Sequence, residues 1–149
     1  MRDYTKIIAW QKADDLTVAV YRATRGFPKE EIYALTSQLR RAAYSVPANI
    51  VEGSSRESLK DYLHFLHIAR GSLSETRYFI HLAGRLGYLK ADQQQQLAEA
   101  SEETLRVLAG LIRVVEKDAG LVSRTLARVT SCCVLSFGSF SLQCLTSKV

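Results

Sequence analysis

The chain has 149 residues, of which 47% are hydrophobic and 23% charged, with 8 glycines, 2 prolines and a formal net charge of +5. That length sustains one domain with a sizeable core, and the composition is that of a globular protein with too little turn punctuation for an all-β fold. All three cysteines, Cys132, Cys133 and Cys144, fall near the C-terminus, which excludes a disulfide or metal framework for the main body.

The N-terminal stretch MRDYTKIIAWQKADD lacks the apolar run of a signal peptide, and no uncharged apolar stretch reads as a membrane span. A cytoplasmic location without membrane association is expected. Four helical segments follow, divided at Gly26, Gly53, Gly87 and Gly120, each glycine placed where a helix would turn left-handed and stop. In the first, Ala13, Leu16, Val20, Ala23 and Phe27 alternate three and four apart. Pro28 with Glu30 and Glu31 suits the first turn of the second helix. Its seam runs Leu35, Leu39, Ala42, Val46, Asn49 and Gly53.

Ser54-Ser55-Arg56-Glu57 reads as a capping box opening the third helix. That helix has one seam through Leu59, Tyr62, Leu66, Ala69, Leu73, Thr76, Ile80 and Ala83, and a second through Phe65, Ile68, Ser72, Phe79, Leu82 and Leu86. The second seam belongs either to this bundle or to a contact with another subunit. Asp92 with Gln95 is a looser cap for the fourth helix, whose seam is Leu97, Ser101, Thr104, Leu108, Leu111 and Val115. Such spacing with short connections predicts an all-α fold, an antiparallel up-down-up-down four-helix bundle over residues 1–120.

The polar residues within TSQLRRAAYSVPANIVEGSSR, Thr36 to Arg56, raise the question of catalysis or packing. Pro47 cannot donate to the carbonyl of Ala43 and is expected to kink the second helix, with Ser45 near enough to offer its hydroxyl to freed backbone. Asn49 on the seam would fix register. Glu52 near the helix end would need a cation or donors if buried. Metal chemistry in a bundle of the ferritin kind needs Glu-x-x-His triplets, and none is present. His64 and His67 form a lone pair, His81 lies about 21 Å further along the axis, and phosphate-binding loops and nucleophile elbows are absent. No catalytic residue, metal or cofactor is expected.

Three stretches carry a likeness to a known family: WQKADDLTVAVYRAT, FPKEEIYALTSQLRRAAYSVPANIVEG and FLHIARGSLSETRYFIHLAGRLGYL. In this order and spacing, over about residues 5–118, the chain resembles the four-helix-bundle proteins of the 23S rRNA-intervening-sequence family. The resemblance implies an antiparallel bundle assembled into a ring, a homopentamer. It also implies bacterial members encoded in rRNA insertions or elsewhere, and RNA as the supposed ligand without a settled enzymatic activity. A related accessory protein works beside a reverse transcriptase. No catalytic residues transfer; Ser45, Pro47, Asn49, Glu52, Gly53 and Gly71 do, as a structural signature. Gly71 and Ser72 are read as a small-residue notch that receives the bent second helix.

Candidate nucleic-acid contacts are Arg40 and Arg41, Arg56 and Lys60 on one face opening the third helix, and Arg70 and Arg77 a heptad apart along it. Five copies of a +5 chain would sum to about +25, enough to attract a phosphate backbone. Equally open is that these cations pair with Glu52, Glu57, Asp61 or Glu75 and serve subunit contacts. The function expected is a non-enzymatic RNA-associated ring. A protein scaffold or accessory factor to a nucleic-acid-processing protein is the alternative, and an enzyme the third reading. Residues 121–149, uncharged from Val129 to Ser147, are expected to be a poorly ordered, dispensable extension.

Overall fold

The computed structural model describes residues 2–120, which form four helices: α1, Ile8–Ala23; α2, Leu35–Ser55; α3, Leu59–Arg85; and α4, Ala91–Asp118. Among the described residues the fold is all-α. Helices α1 and α2 pack together, as do α2 and α3, α3 and α4, and α1 and α4, so the four close around a shared core. That core is aliphatic, with Leu16, Leu39, Ile50, Leu66, Leu73 and Leu108 fully buried, and burying each such side chain stabilises the fold by about 1.5–3 kcal/mol. Cross-helix pairs descend along one helix as they ascend along its neighbour. Arg40 meets Thr24 and Ala43 meets Thr17; Ser72 meets Ser45, while Tyr62 and Phe65 meet Gly53.

The expected first seams are mostly the buried rows of the four helices. Ala23, Leu59 and Leu111 are only half-buried, with Ile112 taking the core place in α4, and the second seam of α3 is half-buried to exposed. Asn49 is only half-buried; Pro47 and Ile50 occupy the core beside it. The reason lies in the apolar arc of α2, which is broad because the helix serves both α1 and α3, and which takes in Ala43, Pro47 and Ser54 as a second row.

Two of the four glycine stops are helix ends. Gly87 and Gly120 have φ of 75° and 68°. After α3 the amide of Tyr88 bonds the Ala83 carbonyl at 3.0 Å and that of Gly87 bonds the Gly84 carbonyl at 3.0 Å, the paired closure of a Schellman motif. Gly26 sits in a 3-10 turn beyond the end of α1. Gly53 lies inside α2, which continues to Ser55.

The capping assignments shift accordingly. Ser54 and Ser55 turn their hydroxyls back onto the carbonyls of Val51 and Glu52, at 2.7 and 2.6 Å, rather than opening a helix. Ser58 caps α3, accepting from the amides of Lys60 and Asp61. At α4 the cap is Lys90, whose amide donates to Gln93 Oε1 at 3.2 Å, in place of Asp92 and Gln95. Pro28 opens a separate 3-10 turn, Lys29–Glu31, ahead of α2, and Glu31 reaches forward to accept from the Leu35 amide at 3.1 Å.

Helix α2 runs through Pro47. The Ala43 carbonyl that proline leaves without an amide accepts from Thr17 Oγ1 of α1 at 3.0 Å, a hydroxyl that also lies 2.8 Å from the Ala13 carbonyl. Ser45, expected to serve that backbone, does something else. Asn49 Nδ2 donates to its carbonyl at 2.7 Å and to its hydroxyl at 3.0 Å, and the hydroxyl stands 3.0 Å from Ser72 Oγ on α3. Since Ser45 Oγ accepts from Asn49, its own proton is available to Ser72. The polar residues of the proline segment thus tie α2 to α3, while the orphan carbonyl is tied to α1.

The proposed notch at Gly71 is not there. Gly71 is exposed, with nothing within 4 Å of where a Cβ would stand. The close approach is at Gly53, where a Cβ would meet Phe65 Cβ at 2.9 Å and the Tyr62 ring at 3.0 Å. Its missing side chain lets α2 and α3 converge.

Candidate nucleic-acid interface

The six candidate cations do not form one patch. Arg40 lies half-buried against the end of α1, donating from Nε to Thr24 Oγ1 at 2.8 Å with its guanidinium 5.0 Å from the Tyr21 ring centroid. Arg41 is exposed and its Nε reaches only Gln38, on its own helix, at 3.3 Å. Arg56 is the C-terminal cap of α2 rather than part of α3, so it does not share a helix face with Lys60. It pairs with Glu52 and lies 4.9 Å from the Phe65 ring centroid. Glu52 is accordingly an exposed ion-pair partner and no buried acid.

Arg77 pairs with Glu102 of α4 rather than with an acid of its own helix. Lys60 and Arg70 are exposed and make no salt bridge among the described residues. Three candidates, Arg40, Arg56 and Arg77, are thus engaged within the bundle, and three, Arg41, Lys60 and Arg70, point to solvent.

The charge itself is unevenly divided. All 15 acidic residues but only 17 of the 20 basic ones lie in residues 1–120, so the bundle carries +2 of the chain's +5. Five bundles alone would therefore sum to about +10, and the figure of about +25 needs the three cations beyond residue 120.

The N-terminal arm is bound down at the α2–α3 junction. The Arg2 amide donates to the Ser54 carbonyl at 3.2 Å, its guanidinium to the Arg56 carbonyl at 2.9 Å, and it stacks 4.6 Å from the Tyr62 ring centroid. Lys12 and Glu103 join α1 to α4 at 2.9 Å; that contact raises the lysine's pKa and lowers the glutamate's, chiefly through their mutual hydrogen bond.

No group of three or more His, Cys, Asp or Glu side chains could hold a metal among the described residues. His67 Nε2 approaches Glu116 at 3.9 Å, and its buried Nδ1 has no partner. Two surface grooves are of modest size. One of about 360 Å³ between α3 and α4 is lined by Arg77, Tyr78, His81 and Gln94; one of about 310 Å³ between α1 and α4 by Arg22, Gln93 and Leu97. No described helix is long and apolar enough to cross a membrane.

The family model for the 23S rRNA-intervening sequence protein matches residues 5–110. The chain belongs to that family. The expected likeness therefore holds over the bundle. Among solved structures it is similar to a protein of unknown function from the S23 ribosomal protein family of Bacteroides thetaiotaomicron. That likeness has 24% identity and a TM-score of 0.66, and covers 71% of this chain and 96% of that one; it shows a shared fold. No curated protein matches. The cysteine-bearing tail lies outside the described residues, as does its expected disorder.

What the sequence did not single out are cations at the helix connections. Arg25, Lys29, Arg85 and Lys90 are all exposed and make no salt bridge among the described residues. They are far apart in the chain, and only the packing of the two connections against each other gathers them.

Proposed function

We propose that this member of the 23S rRNA-intervening sequence protein family is a non-enzymatic, cytoplasmic RNA-associated protein. In this reading its up-down-up-down bundles, with α2 bent at Pro47, assemble into a homopentameric ring. The observation that carries the reading is the set of exposed cations that make no salt bridge among the described residues, Arg41, Lys60 and Arg70 among them. Unpaired arginines and lysines cost little to hold beside phosphate, because no internal partner has to be given up. A ring multiplies each contact by the number of subunits, and this compensates for a protomer that is only mildly basic.

The ring finds support in the outer face of α3. Ile68, Tyr78 and Leu86 are 39%, 60% and 49% exposed, and Gly71 between them presents open backbone. Apolar side chains around a bare helix segment suit close approach by a second copy. The same face also favours the second reading, an oligomeric scaffold that holds a nucleic-acid-processing protein and never touches RNA itself.

Size-exclusion chromatography with light scattering separates the two. The RNA reading expects the ring to co-elute with a structured rRNA fragment at low salt, at the summed mass. A ring that elutes apart from the RNA contradicts it and leaves the scaffold.

A further inference from the structure

We propose that the end of the bundle formed by the α1–α2 and α3–α4 connections is a binding site for single-stranded RNA, with Tyr33 as the platform on which an unpaired base stacks. This rests on the RNA reading above and gives it a place.

The two connections are locked together. Tyr88, just after α3, donates from its hydroxyl to Glu31 Oε1 at 3.2 Å and packs its ring 5.6 Å, centroid to centroid, from that of Phe27. Glu31 uses its other oxygen on the Leu35 amide. Residues on either side of these contacts are therefore held at one end of the molecule. They include Arg22, Arg25 and Lys29 on one side of the junction and Arg85 and Lys90 on the other, all exposed. The acids here are Glu30, Glu31 and Asp92, so this end has two more cations than acids, equal to the whole excess of the bundle. All five salt bridges among the described residues lie elsewhere. The N-termini of α2 and α4 sit here with the C-termini of α1 and α3, so the helix dipoles offset and the side chains set the field.

At this end Tyr33 is 92% exposed, the barest large hydrophobic side chain among the described residues, flanked by Ile32 at 48%. A folded monomer gains nothing from a bare aromatic ring. A flat π-face among free cations is what an unpaired base and its neighbouring phosphates require. Such stacking tolerates any sequence, since every base has a face to offer. An RNA duplex keeps its bases stacked inside and would leave the ring idle. An anionic membrane surface would prefer a broader aliphatic tip than Ile32 and one half-exposed leucine provide.

The test measures binding of the full chain, at fixed oligomeric mass, to a fluorescent unstructured oligouridine, to a duplex RNA and to vesicles containing phosphatidylglycerol. Wild type should prefer the single strand. Tyr33→Ala should weaken it by roughly five-fold to a hundred-fold, the worth of one stacked base, while Tyr33→Phe retains it. Lys29→Gln and Lys90→Gln should each lower the salt slope by about 0.7. With Tyr33 so exposed, the variants should keep the wild-type circular dichroism. Undiminished single-strand binding by Tyr33→Ala would overturn the site and leave RNA association standing. Binding to vesicles but to no RNA would replace it with a membrane surface. An intact assembly that binds no RNA at low salt would overturn the RNA reading as well.

Discussion

At the scale of single residues, glycines with the same helical setting have opposite roles. Gly53 has no room for a Cβ against Phe65 and Tyr62, whereas Gly71 has open space around it. Gly53→Ala is therefore expected to destabilise the bundle by about 1–3 kcal/mol, the usual cost of overpacking. Gly71→Ala should stabilise the protomer by up to about 1 kcal/mol, the helix propensity regained. Urea melts of the two variants measure both, and equal effects would contradict the assignment. Tyr62 makes a second prediction. Burial pushes its hydroxyl above the ordinary value near 10, with the Arg2 charge pulling the other way. A group whose folded pKa is raised contributes stability below its unfolded pKa and loses it as pH rises through the folded one. Stability should thus fall above about pH 10, and Tyr62→Phe should flatten that decline; an unchanged slope would show that another group is responsible.

At the scale of elements, the proline of α2 is answered from outside its own helix. Thr17→Val leaves the Ala43 carbonyl without its α1 donor, at an expected cost of about 1–3 kcal/mol. In a Pro47→Ala background the restored amide takes that carbonyl, and the same threonine change should cost less than about 1 kcal/mol. A double-mutant cycle by chemical denaturation reads the coupling directly; identical costs in both backgrounds would mean that the threonine matters for another reason. The seams of all four helices were legible in the sequence because three-four spacing reports burial without knowing the partner. The helix ends were less so. Ser54 with Glu57 has the form of a cap, but its hydroxyl turns back because α2 must continue past Gly53 to pack against Tyr62. A short motif cannot reveal that requirement. The partner of Arg77 was hidden for the same reason: Glu102 is near it only once α3 and α4 have packed.

At the scale of the whole molecule, the two ends of the bundle are held together differently. The end holding the N-terminal arm is stitched by Arg2, by Arg56 with Glu52, and by Lys6 with Asp3. The opposite end has free cations and a bare tyrosine. The sequence showed a basic chain and suggested six cations, yet three of them, Arg40, Arg56 and Arg77, are engaged within the bundle. Exposed cations at the connections were overlooked because connections carry no periodicity to bring them to notice. The family resemblance was readable because its segments keep their order and spacing over the part that forms the bundle.

The measurement that tests the account most directly is RNA binding by fluorescence anisotropy across a salt series, on protein whose mass is recorded by light scattering in the same sample. The account expects binding by the assembled form, with the logarithm of affinity falling linearly against the logarithm of salt. It also expects a shallower slope when unpaired cations such as Arg41 and Arg70 are replaced by glutamine. An intact assembly with no affinity for RNA at low salt would contradict it.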